Sequence, residues 1–367
     1  MQELTKQYTD LQITYPLEKI GPKEDLLFFD IETTGFSATN SNVYLIGCAF
    51  YDGISFSCKQ FFAEKPSEEA DIISAFMGFA KNYKILIHFN GNNFDIPYLK
   101  EKCKKYEIEC CIDNMNGIDI YRRIAPYKLF LKVPNCKQKT LEQYLGINRE
   151  DTFNGGDLIG VYHEYVSLFN VEALAKLLLH NENDIEGMLL LLPILSYSDL
   201  FNETIKVTKV NLERYIDIQG QNKVELVMKL LLPSSLPSNI SHMACGCFFK
   251  GEGDQGILKV DVIEGELKYF YAGYKDYYYL PEEDEALHKS VASFVDKEHR
   301  VQATAATCYT KIKSIFMPQW ENHFEPIFKK DYASKEIYIE LTDDRKKDRV
   351  FFSKYVNHIL NVIGSTY

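Results

Sequence analysis

Residues 26–32 read Leu-Leu-Phe-Phe-Asp-Ile-Glu, and they limit the fold more sharply than any other stretch. A short apolar run of this kind is the pattern of a buried strand. Successive side chains of a strand point to opposite faces, so Asp30 and Glu32 share a face. Two carboxylates side by side at the end of a buried strand repel each other. A divalent cation between them removes that cost, and oxygen-ligated ions such as Mg²⁺ or Mn²⁺ suit the task. Two solvated acids at a strand end fit this segment equally well when it is taken by itself.

The surrounding pattern predicts an α/β arrangement. Strands are expected at Asn42–Asp52 and Ile54–Phe62, joined by the Asp52-Gly53 turn. A helix is expected over Pro66–Lys81, where Ile72, Ile73, Phe76 and Phe79 fall on one face. A buried strand at Lys84–Phe89 precedes a helix at Ile96–Tyr106, with a short strand near Gly117–Ile120. A short helix is expected over Thr140–Gly146, and a long one from Asn170 to about Leu192 that stops at Pro193. A meander followed by strand–helix alternation makes a mixed sheet with helices on its faces.

Two later segments carry further polar residues suited to chemistry. His88-Phe89-Asn90-Gly91-Asn92-Asn93-Phe94-Asp95 takes a buried strand into a polar turn, with Asp95 at the start of a helix. An N-cap role would account for Asp95 without any chemistry. His180-Asn181-Glu182-Asn183-Asp184 lies in a leucine-rich helix, and residues four apart place His180 and Asp184 on one face. A polar pair on a packed helix needs a partner or a metal.

Taken in order, Asp-x-Glu-Thr-Thr-Gly, Asn-x-x-x-Phe-Asp and His-x-x-x-Asp resemble the DEDD exonuclease superfamily of ribonuclease H-like nucleases. The chain looks most like the YprB-type ribonuclease H-like domain. Val133-Pro134-Asn135-Cys136-Lys137-Gln138-Lys139-Thr140-Leu141-Glu142, Tyr144-Leu145-Gly146 and Gly155-Gly156-Asp157 carry that closer likeness, which covers about residues 25–197. The resemblance implies a ribonuclease H-like fold, metal-dependent phosphodiester hydrolysis with two Mg²⁺ or Mn²⁺ ions, and release of nucleotides from a 3′ end. It implies that Asp30, Glu32 and Asp184 hold one ion, with Asp30 and Asp95 serving the second. The subfamilies place a His five residues before the last Asp or a Tyr four before it; here His180 stands four before, as a general-base candidate. A structure-specific endonuclease, or a nucleic-acid-binding scaffold of the same fold, remain as alternatives.

Substrate contacts are expected from Thr33, Asn90 and Asn93 in the two motifs, and from Arg122, Arg123 and Lys139 in a basic segment. No acid interrupts that segment between Asp119 and Glu142, and Tyr121, Tyr127 and Phe130 lie within it. Positive charge with interleaved rings suits a single-stranded end of DNA or RNA. A solvated basic loop is the plainer alternative. The net charge of −11 is unlike that of most nucleic-acid binders, but it is uneven: residues 1–200 hold 19 Lys/Arg and 28 Asp/Glu, against 22 and 24 in residues 201–367. The acidity lies where the expected metal ligands are, and bound cations would cancel part of it.

The domain reading is a lead-in over 1–24, a nuclease domain over 25–200, a linker over 201–221, and a smaller α+β domain with an antiparallel sheet over 222–367. In the last, strands are expected at Val224–Leu232, Met243–Phe249, Ile257–Ile263, Glu266–Tyr271, Lys275–Leu280 and Arg300–Ile312, with a turn at Glu264-Gly265. Helices are expected over Pro281–Val295 and from Thr342 to Ile359. Tyr269, Tyr271, Tyr274, Tyr277, Tyr278 and Tyr279 form a cluster read first as sheet packing. Nine cysteines without metal-site spacing, and no apolar leader or spanning run, predict a reduced, cytoplasmic protein that does not enter a membrane.

Overall fold

The computed structural model describes residues 1–148 and 155–366. The chain divides into two compact units, Met1–Asp199 with Leu236–Ser238, and Leu200–Ser235 with Asn239–Tyr367.

The first unit is built on six strands: β1 (Gln2–Gln7), β2 (Leu26–Thr33), β3 (Val43–Tyr51), β4 (Phe56–Phe62), β5 (Ile85–His88) and β6 (Asn116–Asp119), in the order β1-β4-β3-β2-β5-β6. β2, β3 and β4 form the expected antiparallel meander, and β5 and β6 continue the sheet in parallel. Its helices are α1 (Glu69–Ala80), α2 (Asp95–Lys105), α3 (Ile120–Ile124), α4 (Lys128–Leu131), α5 (Gln138–Tyr144), α6 (Gly155–Leu168), α7 (Val171–Leu191) and α8 (Leu195–Asn202), which runs on past the division. This is the mixed, helix-flanked sheet of the ribonuclease H-like class.

Alternation along β2 sorts its side chains. Leu27, Phe29 and Ile31 join a core with Ile72, Phe76 and Leu99 of α1 and α2. The other face of the sheet carries a second core, where Tyr44, Leu45 and Phe62 meet Tyr162 of α6 and Leu177 of α7. Asp30 and Glu32 belong to that second face, at the end where apolar packing gives way to polar contacts. Asn170 starts α7 by accepting from the Glu172 N–H (2.9 Å), and the helix ends just before Pro193.

The expected lead-in is corrected at its first residues: Gln2–Gln7 pairs antiparallel with β4 as the sheet edge. Only Leu4 of that strand packs on the core, so the alternation that marks a strand is nearly silent in the sequence.

The second unit contains β7 (Lys206–Ile216), β8 (Asn222–Ala244), β9 (Cys247–Phe270), β10 (Tyr277–Leu280), β11 (Glu285–His288), β12 (Val301–Gln302), β13 (Tyr309–Gln319), β14 (Ile327–Phe328) and β15 (Ile337–Glu340), with α9 (Lys289–Ala292), α10 (Asp343–Lys347) and α11 (Arg349–Thr366). Six strands form one sheet in the order β14-β15-β13-β9-β8-β7, and three form a small sheet, β11-β10-β12. The α+β class is as expected, but several elements differ. β7 occupies most of the expected linker. β8 is one 23-residue strand that passes through Pro233 and Pro237, where the sequence reads as an end. The real turn is Cys245-Gly246, both at positive φ, whereas Glu264 and Gly265 lie mid-strand opposite Ile315 and Ser314. The helix expected over Pro281–Val295 is a tight turn, strand β11 and the four-residue α9. Asp284 makes that turn at φ 55°, accepting from the Tyr279 hydroxyl (2.6 Å) and from Tyr309. The tyrosine cluster packs as expected: Tyr271 stacks on Tyr277 at 4.8 Å. Among the described residues, no helix is long and apolar enough to cross a membrane.

A buried ion pair ties the first unit's helices to the loop that follows β2. Glu69 of α1 and Lys102 of α2 are 2.8 Å apart with almost no exposure. Glu69 accepts from the Asn42 side chain (2.7 Å) and the Val43 N–H (2.7 Å), while Lys102 donates to the Ser41 carbonyl (2.5 Å). Removing one partner strands the other charge in the interior. Lys102→Met is therefore expected to lose about 3–5 kcal/mol in urea denaturation, with Glu69→Gln/Lys102→Met recovering part of the loss. An unchanged midpoint in Lys102→Met would contradict this account.

Candidate metal centre

Three separated segments meet at the end of β2. Asp30 and Glu32 arrive from the strand, Asp95 from the first residue of α2, and His180 and Asp184 from one face of α7; all five line a single cleft of about 490 Å³. His180 Nε2 lies 3.3 Å from Asp184 Oδ2 and 3.6 Å from Glu32 Oε1. The ligand atoms of Glu32, His180 and Asp184 all fall within 4.8 Å of one another. The polar pair on the packed helix thus turns inward, to the two carboxylates.

Asp95 does not cap its own helix, for which no side-chain cap is formed. Its Oδ1 accepts from the Ile31 N–H across the strand end (3.3 Å), fixing the carboxylate beside Asp30.

Crowding acts on the protonation states. Burial first, then the charges of Asp184, Asp95 and Glu32, hold the Asp30 carboxyl well above its usual range, and the Asn181 amide works against them. Burial likewise pushes Asp95 up to about 7, although two backbone N–H groups lower it. The carboxylates fit a divalent cation: they are oxygen donors with a repulsion that a positive charge reverses, and the His180 imidazole stands beside them.

The side chains that support Asp30 are not among those the sequence motifs single out. Asn181 Nδ2 donates to Asp30 Oδ2 (3.2 Å), and Asn181 Oδ1 accepts from Gln60 Nε2 (3.0 Å). Gln60 also donates to the Leu178 carbonyl (2.9 Å), so β4 and α7 together orient the amide. The relay crosses β3 at Gly47, directly opposite Asp30 in the ladder. A Cβ there would lie 1.9 Å from Asn181 Oδ1. A further clamp comes from Gln138 of α5, whose amide donates to the Asp184 carbonyl (2.8 Å) and to Glu142 (2.9 Å). The one sequence signal was Asn181 itself, a polar residue at a fully buried helix position.

Of the expected substrate residues, Asn90 and Lys139 line the cleft, together with Phe36 and Phe94. Asn90 sits at φ 61°, its N–H donating to Asp119 Oδ1 (2.9 Å), and its side chain accepts from Asn93 (2.7 Å). Asn93, Arg122, Arg123 and Thr33 do not line the cleft. Arg122 reaches Asn93 at 3.4 Å, Arg123 is exposed on α3, and the Thr33 hydroxyl donates to the Gly35 carbonyl (2.9 Å) to close the turn. Arg122 and Asn93 thus support the Asn90 turn, and Thr33 the end of β2.

Residues 27–196 match the family model of the RNase_H superfamily. No curated protein matches the chain. Among solved structures, the chain is similar to the family B DNA polymerase of the archaeon Pyrobaculum calidifontis, with 13% identity, 72% of this chain and 39% of that chain covered, and a TM-score of 0.39. It is also similar to E. coli Exonuclease I in complex with a dA16 oligonucleotide, with 10% identity, 57% and 55% coverage, and a TM-score of 0.30. The chain thus spans about two-fifths and just over half of those two chains.

Two outcomes follow for this site. Gly47→Ala forces Asn181 off Asp30 and is expected to lower stability by about 1–3 kcal/mol, with weaker Mn²⁺ binding by calorimetry; wild-type binding would refute the relay. The second concerns pH. An unfolded Asp releases its proton near pH 4, but folded Asp95 keeps it to about 7. Between these values the folded state holds an extra proton at Asp95, so the Asp95 contribution to metal-free stability falls as pH rises and is fully lost above about 7. In EDTA, Asp95→Asn should flatten this decline and raise Tm at pH 8 by about 5 °C, equivalent to about 2 kcal/mol. A decline as steep as that of the wild type would refute the assignment.

Proposed function

We propose that this chain hydrolyses phosphodiester bonds of nucleic acid with divalent metal ions, acting from a 3′ end. The observation that carries the reading is the convergence of Glu32, His180 and Asp184 within 4.8 Å, beside Asp30 and Asp95. The match of residues 27–196 to the RNase_H superfamily model supports it.

Asp30, Glu32, Asp95 and Asp184 would hold two Mg²⁺ or Mn²⁺ ions, which when bound supply an activated water and stabilise the leaving oxygen. Asn181 keeps one Asp30 oxygen occupied, which fixes the direction of the other. Asp95 is held to the same strand end through the Ile31 N–H. His180 accepts the proton of the attacking water at Nε2, the atom set between Glu32 and Asp184. Lys139 lies at the cleft wall, where an ammonium attracts the phosphate. Phe36 is 89% exposed with its ring edge-on to Phe94 at 6.3 Å, an apolar surface beside the acids on which a terminal base can rest. Polarity and end-dependence follow from the DEDD likeness of the motifs, and the basic segment with its rings favours a single-stranded end of DNA or RNA.

The test is digestion of end-labelled single- and double-stranded DNA and RNA with Mg²⁺, Mn²⁺ or EDTA. A ladder shortening from the 3′ end, abolished by EDTA, is the expected result; internal cuts would instead make the protein an endonuclease. Asp30→Asn should lower the rate on the order of a thousandfold or more without lowering Tm. Full activity in that variant would reject the site.

A further inference from the structure

The second unit holds a cavity of about 610 Å³ on its six-stranded sheet, lined by the middle of β9, the end of β13, the start of β15 and the start of β8. Its volume lies within the range of small-ligand sites. Trp320, the only tryptophan of the chain, lines it just beyond β13 and is 36% exposed. The backbone at Trp320 is anchored: its main-chain N–H donates to His358 Nε2 of α11 (3.2 Å), and the indole lies 6.1 Å from that imidazole. A part-exposed indole on an anchored backbone can serve as a stacking platform, because a ring with few rotatable bonds loses little conformational entropy when a flat ligand settles on it.

The charge around the ring is distinctive in a chain of net charge −11. Lys223, Lys330 and Lys335 line the cavity with two acids, Asp261 and Glu336. Glu336 is already satisfied, accepting from Lys330 (3.2 Å) and from the Tyr338 hydroxyl (3.0 Å). Lys223 lies 4.0 Å from Asp217, at the limit of an ion pair, and Lys335 is exposed. The rim therefore offers ammonium groups beside a fixed indole, over an apolar wall of Pro318 and Ile337. A flat heteroaromatic ring joined to an anionic group satisfies all three parts, and a nucleotide unit has that composition.

We propose that this cavity is a second nucleic-acid contact, which takes one nucleotide of a single strand with its base on Trp320 and its phosphate beside Lys223 and Lys335. The choice of a nucleic-acid strand rests on the nuclease reading of the first domain; the ring, the cations and the cavity do not. The site gives the second unit a task in substrate recognition that the cleavage cleft does not perform.

Because Trp320 is the sole tryptophan, emission excited at the red edge, where tyrosine does not absorb, reports on this cavity alone. The titration is done in EDTA with dT12 and with U12. At least one strand should quench the emission saturably, with a midpoint that weakens as NaCl is raised. With a labelled copy of that strand, Trp320→Ala should weaken binding about tenfold, and Trp320→Phe should restore most of it. Lys335→Glu, on the exposed rim, should weaken binding about fivefold with an unchanged circular dichroism spectrum. Binding of the labelled strand without any change in Trp320 emission overturns the proposal. So does equal quenching by free dTMP, which would make the cavity a mononucleotide site. Without metal the quenching is independent of hydrolysis. A protein that quenches but cleaves nothing loses the nuclease reading alone, and one that cleaves without quenching loses the cavity alone.

Discussion

Mutual repulsion among carboxylates governs the first unit. Asp30, Glu32, Asp95 and Asp184 are brought to one cleft from a strand, a turn and a helix, and burial intensifies the conflict at Asp30 and Asp95. A fold keeps such a cluster only if its surroundings oppose the drift of each acid towards solvent. Here the opposing contacts are specific. An amide relay from β4 and α7 reaches Asp30, the Ile31 backbone holds Asp95, and Gln138 fastens the α7 backbone at Asp184. Stability is spent at this point on electrostatic preorganisation, which is the usual condition of a functional site.

The parts legible in the sequence are those with a short period. Leu26–Glu32 shows both burial and the shared face of its acids, and the four-residue spacing of His180 and Asp184 shows a common helix face. Asp95 was legible as the start of a helix, but its bond to Ile31 spans 64 residues and leaves no local trace. The same holds for Gln60 and Gly47. Each is unremarkable in its own segment, and their meaning comes from a crossing of three elements.

The second unit was less legible for a different reason. Prolines normally end strands, yet β8 runs through Pro233 and Pro237, so a rule that is sound on average divided one element into two. Tyrosine hydroxyls on Asp284 turn the chain where an acidic, apolar-spaced segment reads as a helix. In both places tertiary contacts override local preference. Trp320 shows the reverse case: a single residue, without periodicity, gains its significance from the cavity around it.

The pairing of Asp30 with Gly47 reaches beyond the cleft. β2 is held in register by β3 on one side and by β5 on the other. A slip of β2 by one residue would turn Asp30 and Glu32 into the apolar core beneath the sheet, away from Asn181. No intermediate alignment leaves a weakened site. The cleft is thus a digital readout of strand register, in which each molecule has either the whole constellation or none of it. Differences in specific activity between preparations of such a protein would measure how many molecules are correctly aligned, rather than how well each one works.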